Sequence, residues 1–198
     1  MRDDNRTERQ AQIETAAYAV LEEKGYAGAS MLAIARRAKA SNETLYNWYG
    51  DKTGLFHALV RRNAAEVQAL LEAQIAEGGD ALDALSRLGP VLLSLLTGAR
   101  AVALNRAAAA DATGDLGRAI ASEGRERIAP MIAAVLEQAR AAGQLSYADG
   151  GEALGLYLDL LVGDLQIRRV IGRMPEPTAA ECEARSARAL AAFRRLCG

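Results

Sequence analysis

Apolar residues recur along the chain at spacings of three and four, so it reads as a series of amphipathic helices. The first runs from about Thr7 and buries Ile13, Ala16, Ala17, Val20 and Leu21, with Gly25 ending it. Ser30 caps a short helix over Met31–Ala38, and Ser41 caps another over Asn42–Tyr49. A longer helix starts at Asp51-Lys52 and reaches about Ala76, with Leu55, Phe56, Leu59, Val60, Val67, Leu70 and Leu71 on its apolar face. Past Gly78-Gly79, Asp80 caps a leucine-rich helix that Gly89-Pro90 would kink or break. Helices then span about Ala99–Ala110 and Asp115–Ala142, the second with bends expected at Gly124 and Pro130. Asp149 caps a helix over about Glu152–Ile171, and Thr178 with Glu181 forms a capping box for a last helix ending near Leu196. The expectation is an all-α chain of about nine helices, with residues 1–6 a disordered arm.

The stretch from Ile34 to Leu55 differs in character from the rest. After the cap at Ser41, Leu45, Trp48 and Tyr49 share one face, while Asn42, Glu43, Tyr46 and Asn47 share the other. The first face is apolar enough to dock on a core. The second is polar and aromatic and would look outward. A short helix held over its neighbour in this way is how a helix-turn-helix offers side chains to a major groove.

Gly25-Tyr26, Ile34-Ala35, Ala38, Ser41, Thr44-Leu45-Tyr46, Tyr49, Lys52 and Leu55-Phe56 together resemble the DNA-binding domain of the tetracycline-repressor (TetR/AcrR) family of bacterial transcription regulators. The resemblance covers roughly the first third of the chain. It implies a helix-turn-helix domain over residues 1–65, with the motif at about 29–48, and a ligand-binding and dimerisation domain over 66–198. It implies that Tyr46 and Lys52 bind phosphates, which fixes register without reading sequence. Asn42, Glu43, Thr44 and Asn47 are then the candidates for base edges.

Ser30 can supply the hydroxyl that the family places on a phosphate, whereas Met31 and Leu32 stand where threonines are usual. Lys39 replaces the usual glycine of the turn. In a left-handed conformation it would cost on the order of 1 kcal/mol; it would also put a cation close to the DNA. Ser41 completes the candidate DNA-binding set as the cap of the reader helix. Arg6 and Arg9 could touch phosphates or belong to a solvated arm.

Composition adds little beyond this. The chain has 198 residues, 51% hydrophobic and 25% charged, with a net charge of -1. Residues 1–62 hold ten basic against eight acidic residues and the remainder fourteen against seventeen, a slight asymmetry with the sign expected of a DNA-binding head. Cys182 and Cys197 show neither metal spacing nor a disulfide framework, which suits a reducing cytoplasm. His57 is the single histidine, in a helical LFHAL run, and no nucleophile elbow, P-loop or dinucleotide fingerprint occurs. An enzyme is the poorest fit; no cofactor or metal is expected. The N-terminus lacks an apolar signal core, and Asp159 and Asp164 interrupt the richest apolar run, so a cytoplasmic protein is expected.

The helix expected over 152–171 is apolar on nearly all sides, and such a helix must be covered on all sides. That suggests a partner subunit, with Leu158, Leu161, Leu165, Arg168, Leu190 and Phe193 at a homodimer interface. Gly163–Arg168 also resembles the carboxy-terminal domains of one regulator subgroup. Asn105, Arg106, Tyr157, Asp159 and Gln166 are polar residues in apolar surroundings; each could orient an apolar or aromatic effector, bond across a dimer or face solvent. The reading is a homodimeric, ligand-responsive regulator, a repressor, on a palindromic double-stranded operator, with no membrane partner. The alternative is a helical dimer that sequesters an apolar small molecule without binding DNA.

Overall fold

The computed structural model describes the backbone of residues 2–198 and the side chains of residues 6–198. Every regular element among these is helical. They are α1 (Arg2–Gly28), α2 (Met31–Arg37), α3 (Asn42–Tyr49), α4 (Lys52–Glu77), α5 (Ala81–Thr97), α6 (Ala99–Ala109), α7 (Asp115–Ile120), α8 (Glu126–Ala141), α9 (Gly150–Leu161), α10 (Leu165–Val170) and α11 (Ala179–Cys197), with one π-helical turn at Ala121–Arg125. Among the described residues no single helix is long and apolar enough to cross a membrane.

The chain divides into two compact units: residues up to Arg62 with Ala103–Glu123, and Asn63–Val102 with Gly124–Gly198. The first unit is therefore more than an N-terminal segment. Leu104, Ala107, Leu116 and Ala119 join Ile13, Ala17, Ile34, Leu45, Leu55 and Phe56 in its apolar cluster. Both α4 and α6 contribute residues to each unit.

In the second unit α5, α8, α9 and α11 pack around Leu85, Leu88, Ile132, Val135, Tyr157, Leu161 and Phe193. Tyr157 meets Phe193 edge to face at 5.6 Å. Gly89 lets α5 approach α11 closely, because a Cβ there would lie 1.9 Å from Ser186 Oγ. Pro90 sits inside α5 without breaking it. Ser86, whose carbonyl a proline at 90 cannot engage, is exposed.

The arm expected over residues 1–6 is helical from Arg2, because extending a helix already anchored by Ile13, Ala16 and Ala17 costs less than nucleating one; Met1 lies outside the described residues. The single helix expected over 115–142 is two helices joined by the π-helical turn, with Gly124 inside that turn. The helix expected over 152–171 breaks at Gly163, where φ is 52°. There Arg185 Nε of α11 donates to the Leu161 carbonyl at 3.0 Å and satisfies the end of α9. Leu161 and Phe193 are wholly buried in the unit's own core, so neither offers a partner subunit any surface.

Candidate nucleic-acid interface

The first unit builds its outward face from three short pieces of chain. Met31, Ile34 and Ala35 anchor α2 in the apolar cluster, and Ser30 Oγ caps it by accepting from the Ala33 N–H at 3.2 Å. The Ser30 hydroxyl keeps its own proton to donate. The helix ends in a Schellman closure: Ala40 N–H donates to the Ala35 carbonyl at 2.9 Å and Lys39 N–H to the Arg36 carbonyl at 3.2 Å. That geometry puts Lys39 in the left-handed region, at φ 53°. Arg9 of α1 donates from Nη2 to the Lys39 carbonyl and from Nη1 to Gln12 Oε1 at 2.7 Å.

Ser41 opens α3 by accepting from the Thr44 N–H at 3.0 Å, and its hydroxyl lies 2.7 Å from the Thr44 hydroxyl. Both side chains are thus engaged in the cap. Leu45 is fully buried, and Trp48 and Tyr49 are half-buried against the cluster. Asn42, Glu43, Tyr46 and Asn47 are exposed. Arg6 lies over the Trp48 ring, 5.7 Å from its centroid. The Tyr49 hydroxyl is buried without a hydrogen-bond partner. Burial first, then the Glu14 carboxylate, pushes its pKa up to about 12.

Asp51 caps α4 by accepting from the Gly54 N–H at 2.7 Å. Position 54 admits only glycine, since a Cβ there would stand 2.0 Å from the Tyr49 carbonyl oxygen. Lys52 is half-buried. Its Nζ donates to the carbonyls of Tyr26 at 3.0 Å and Ala29 at 3.2 Å, and lies 4.1 Å from the Tyr26 ring centroid. The roles of Arg9 and Tyr26 in holding this face escape sequence reading, because each acts on a residue that lies 26 or more positions away.

His57, the lone histidine, has Nδ1 3.3 Å from Glu123 Oε1, with Arg61 Nη1 3.5 Å from the same oxygen. The residues considered for an effector are divided between the units. Asn105 is half-buried and Arg106 exposed in the first unit, Tyr157 is buried in the second, and Gln166 is half-buried there. The Tyr157 hydroxyl donates to the Leu85 carbonyl at 3.4 Å, and burial pushes its pKa up. Asp159 is exposed, so it is not a buried polar group of this unit. Instead, Gln74 Nε2 on α4 and Gln138 Oε1 on α8 are buried without hydrogen-bond partners.

The family model of the AefR-like transcriptional repressor C-terminal domain matches residues 83–196, and that of bacterial regulatory proteins of the tetR family matches residues 13–59. No curated protein sequence matches. Among solved structures, a TetR-family transcriptional regulator from Mesorhizobium loti superposes with a TM-score of 0.78 at 26% identity, covering 97% of this chain and 98% of that one. A TetR regulator from Agrobacterium tumefaciens gives 0.74 at 29% identity over 96% and 94%. The flavonoid-responsive regulator FrrA gives 0.69 at 28% identity over 96% and 97%. With family models covering both the head and more than half of the chain, and the capped α2–turn–α3 geometry beneath them, this chain belongs to the TetR/AcrR family of DNA-binding transcriptional regulators.

Proposed function

We propose that the protein is a homodimeric, ligand-responsive repressor that reads a near-palindromic operator by laying α3 in the major groove. The observation that carries this reading is the division of α3 into a buried side at Leu45 and an exposed side bearing Asn42, Glu43, Tyr46 and Asn47. Asparagine can pair with adenine, and glutamate can accept from cytosine N4. Ser30, Lys39, Tyr46 and Lys52 supply phosphate contacts, which hold register on any sequence. Ser41 and Thr44 stabilise the helix end that enters the groove.

Dimerisation uses the second unit. Leu158, Leu165 and Leu190 are half-buried, Arg168 is exposed, and Ile167 and Ile171 are 56% and 60% exposed. A twofold mate would cover these apolar side chains. Footprinting on the DNA upstream of the protein's own gene tests the assembly: two protected half-sites are expected, one or more helical turns (~34–36 Å each) apart. A single protected half-site would count against a dimeric reader.

The effector binds in the second unit and is an uncharged, apolar or aromatic compound carrying a hydrogen-bonding group for Gln74. Gln74 is 94% buried and its amide N–H groups lack an acceptor, so a ligand acceptor there would relieve a desolvated donor. The flavonoid response in the name of the 28%-identical relative supports an aromatic class. Release of DNA requires only that the effector bind one arrangement of the α4 helices better than the other.

A further inference from the structure

We infer that Tyr26 is a positioning residue of the DNA interface, acting through Lys52; the inference rests on the DNA-binding reading above. Lys52 occupies the first turn of α4, where the helix dipole disfavours a cation. Its ammonium bonds instead to the end of α1 and the residue just past it, where the Tyr26 and Ala29 carbonyls accept at 3.0 and 3.2 Å. The ring of Tyr26 lies beneath the ammonium, 4.1 Å from centroid to Nζ, well within cation–π range.

The ring is itself fixed. It stands edge-on to Phe56 at 5.8 Å, and its hydroxyl lies 3.4 Å from Thr53 Oγ1. Both partners belong to the first turns of α4, the helix that carries Lys52. The break at Gly25, φ 65° and ψ 175°, immediately precedes Tyr26 and turns the chain out of the straight course of α1. An ammonium has three N–H donors. Two are used on carbonyls, and the third remains for a phosphate oxygen. A lysine held on three sides loses less freedom on meeting that phosphate than a lysine free in solvent. The same contacts distinguish Tyr26 from a residue that merely fills the core: its effect on DNA affinity must pass through the Lys52 charge.

The test is a double-mutant cycle in the full-length protein: wild type, Tyr26→Leu, Lys52→Met and the double variant. Binding is read by fluorescence anisotropy on a duplex selected by the wild type from a random-sequence pool, across a salt series. Tyr26→Leu is expected to weaken binding roughly fivefold, the scale of one cation–π contact. Lys52→Met is expected to weaken it further and to lower the salt slope by about 0.9, one phosphate's worth. The double variant is expected to match Lys52→Met alone. Tyr26→Phe keeps the ring face and is expected to bind like wild type, which controls for a folding defect in the leucine variant. Additive losses, or a phenylalanine variant as weak as the leucine one, would overturn the inference while leaving the DNA reading intact. Failure to select any duplex with the wild type would overturn both.

Discussion

The Arg9 guanidinium donates to the carbonyl of Lys39, the only non-glycine residue with positive φ among those described. A side chain from α1 thereby clamps the most strained residue of the helix-turn-helix, in the turn that orients α3 on α2.

Lys39→Gly relieves that strain and is expected to stabilise the protein by about 1 kcal/mol, read by urea unfolding. It also removes a cation from the proposed interface. The same variant is therefore expected to bind operator less tightly and with a shallower salt dependence. A more stable protein with unchanged DNA affinity would leave Lys39 no part in binding.

Tyr49→Phe removes a buried hydroxyl that has no partner, so it is expected to stabilise by about 1 kcal/mol at neutral pH. The wild-type tyrosine has a folded pKa raised from 10 to about 12. The unfolded tyrosine ionises from about pH 10 while the folded one stays protonated to about 12, so this linkage leaves stability unchanged below pH 10 and lowers it as pH climbs towards 12. Thermal melts from pH 9 to 12 are expected to show a steeper alkaline decline in wild type than in the variant.

Gly54→Ala forces a methyl into the Tyr49 carbonyl at the junction of α3 and α4. A loss of about 1–3 kcal/mol is expected from overpacking alone. The matched control is Gly155→Ala in α9, where a Cβ would meet nothing within 4 Å. There, removal of a helical glycine is expected to be neutral or stabilising.

Tyr46→Phe combined with Lys52→Ala is expected to weaken binding on all duplexes alike, because phosphates carry no sequence. Asn47→Ala is expected to change the preferred base at one position in each half-site, at about 1–3 kcal/mol. Selection from a randomised half-site separates the two outcomes. Equivalent behaviour of both variants would dissolve the division between positioning and reading residues.

Local signals made much of the fold legible. The caps at Ser30, Ser41, Asp80 and Asp149 and the Thr178–Glu181 box each pair a side chain with a backbone N–H three positions on. Such bonds are written in the immediate sequence. The break at Gly163 was not legible, because Arg185, which satisfies the freed carbonyl at Leu161, is supplied from 24 residues away. The joining of Leu104 and Leu116 to the head cluster is likewise a tertiary choice with no local mark. At the candidate interface, the outward set on α3 followed from helical spacing. The half-buried state of Lys52 did not, since a lysine at a helix start normally reads as solvated. The burial of Leu161 and Phe193 within their own unit is not legible either, because helical spacing marks an apolar side chain without showing whether its own chain or a partner covers it.

Sequence reading by α3 is tested most directly by fluorescence anisotropy on the duplex upstream of the protein's own gene. The comparison is a scrambled duplex of equal length at physiological salt. A preference of roughly a thousandfold or more for the native duplex is the expected result. Absence of binding to either duplex, even at low salt, would contradict it.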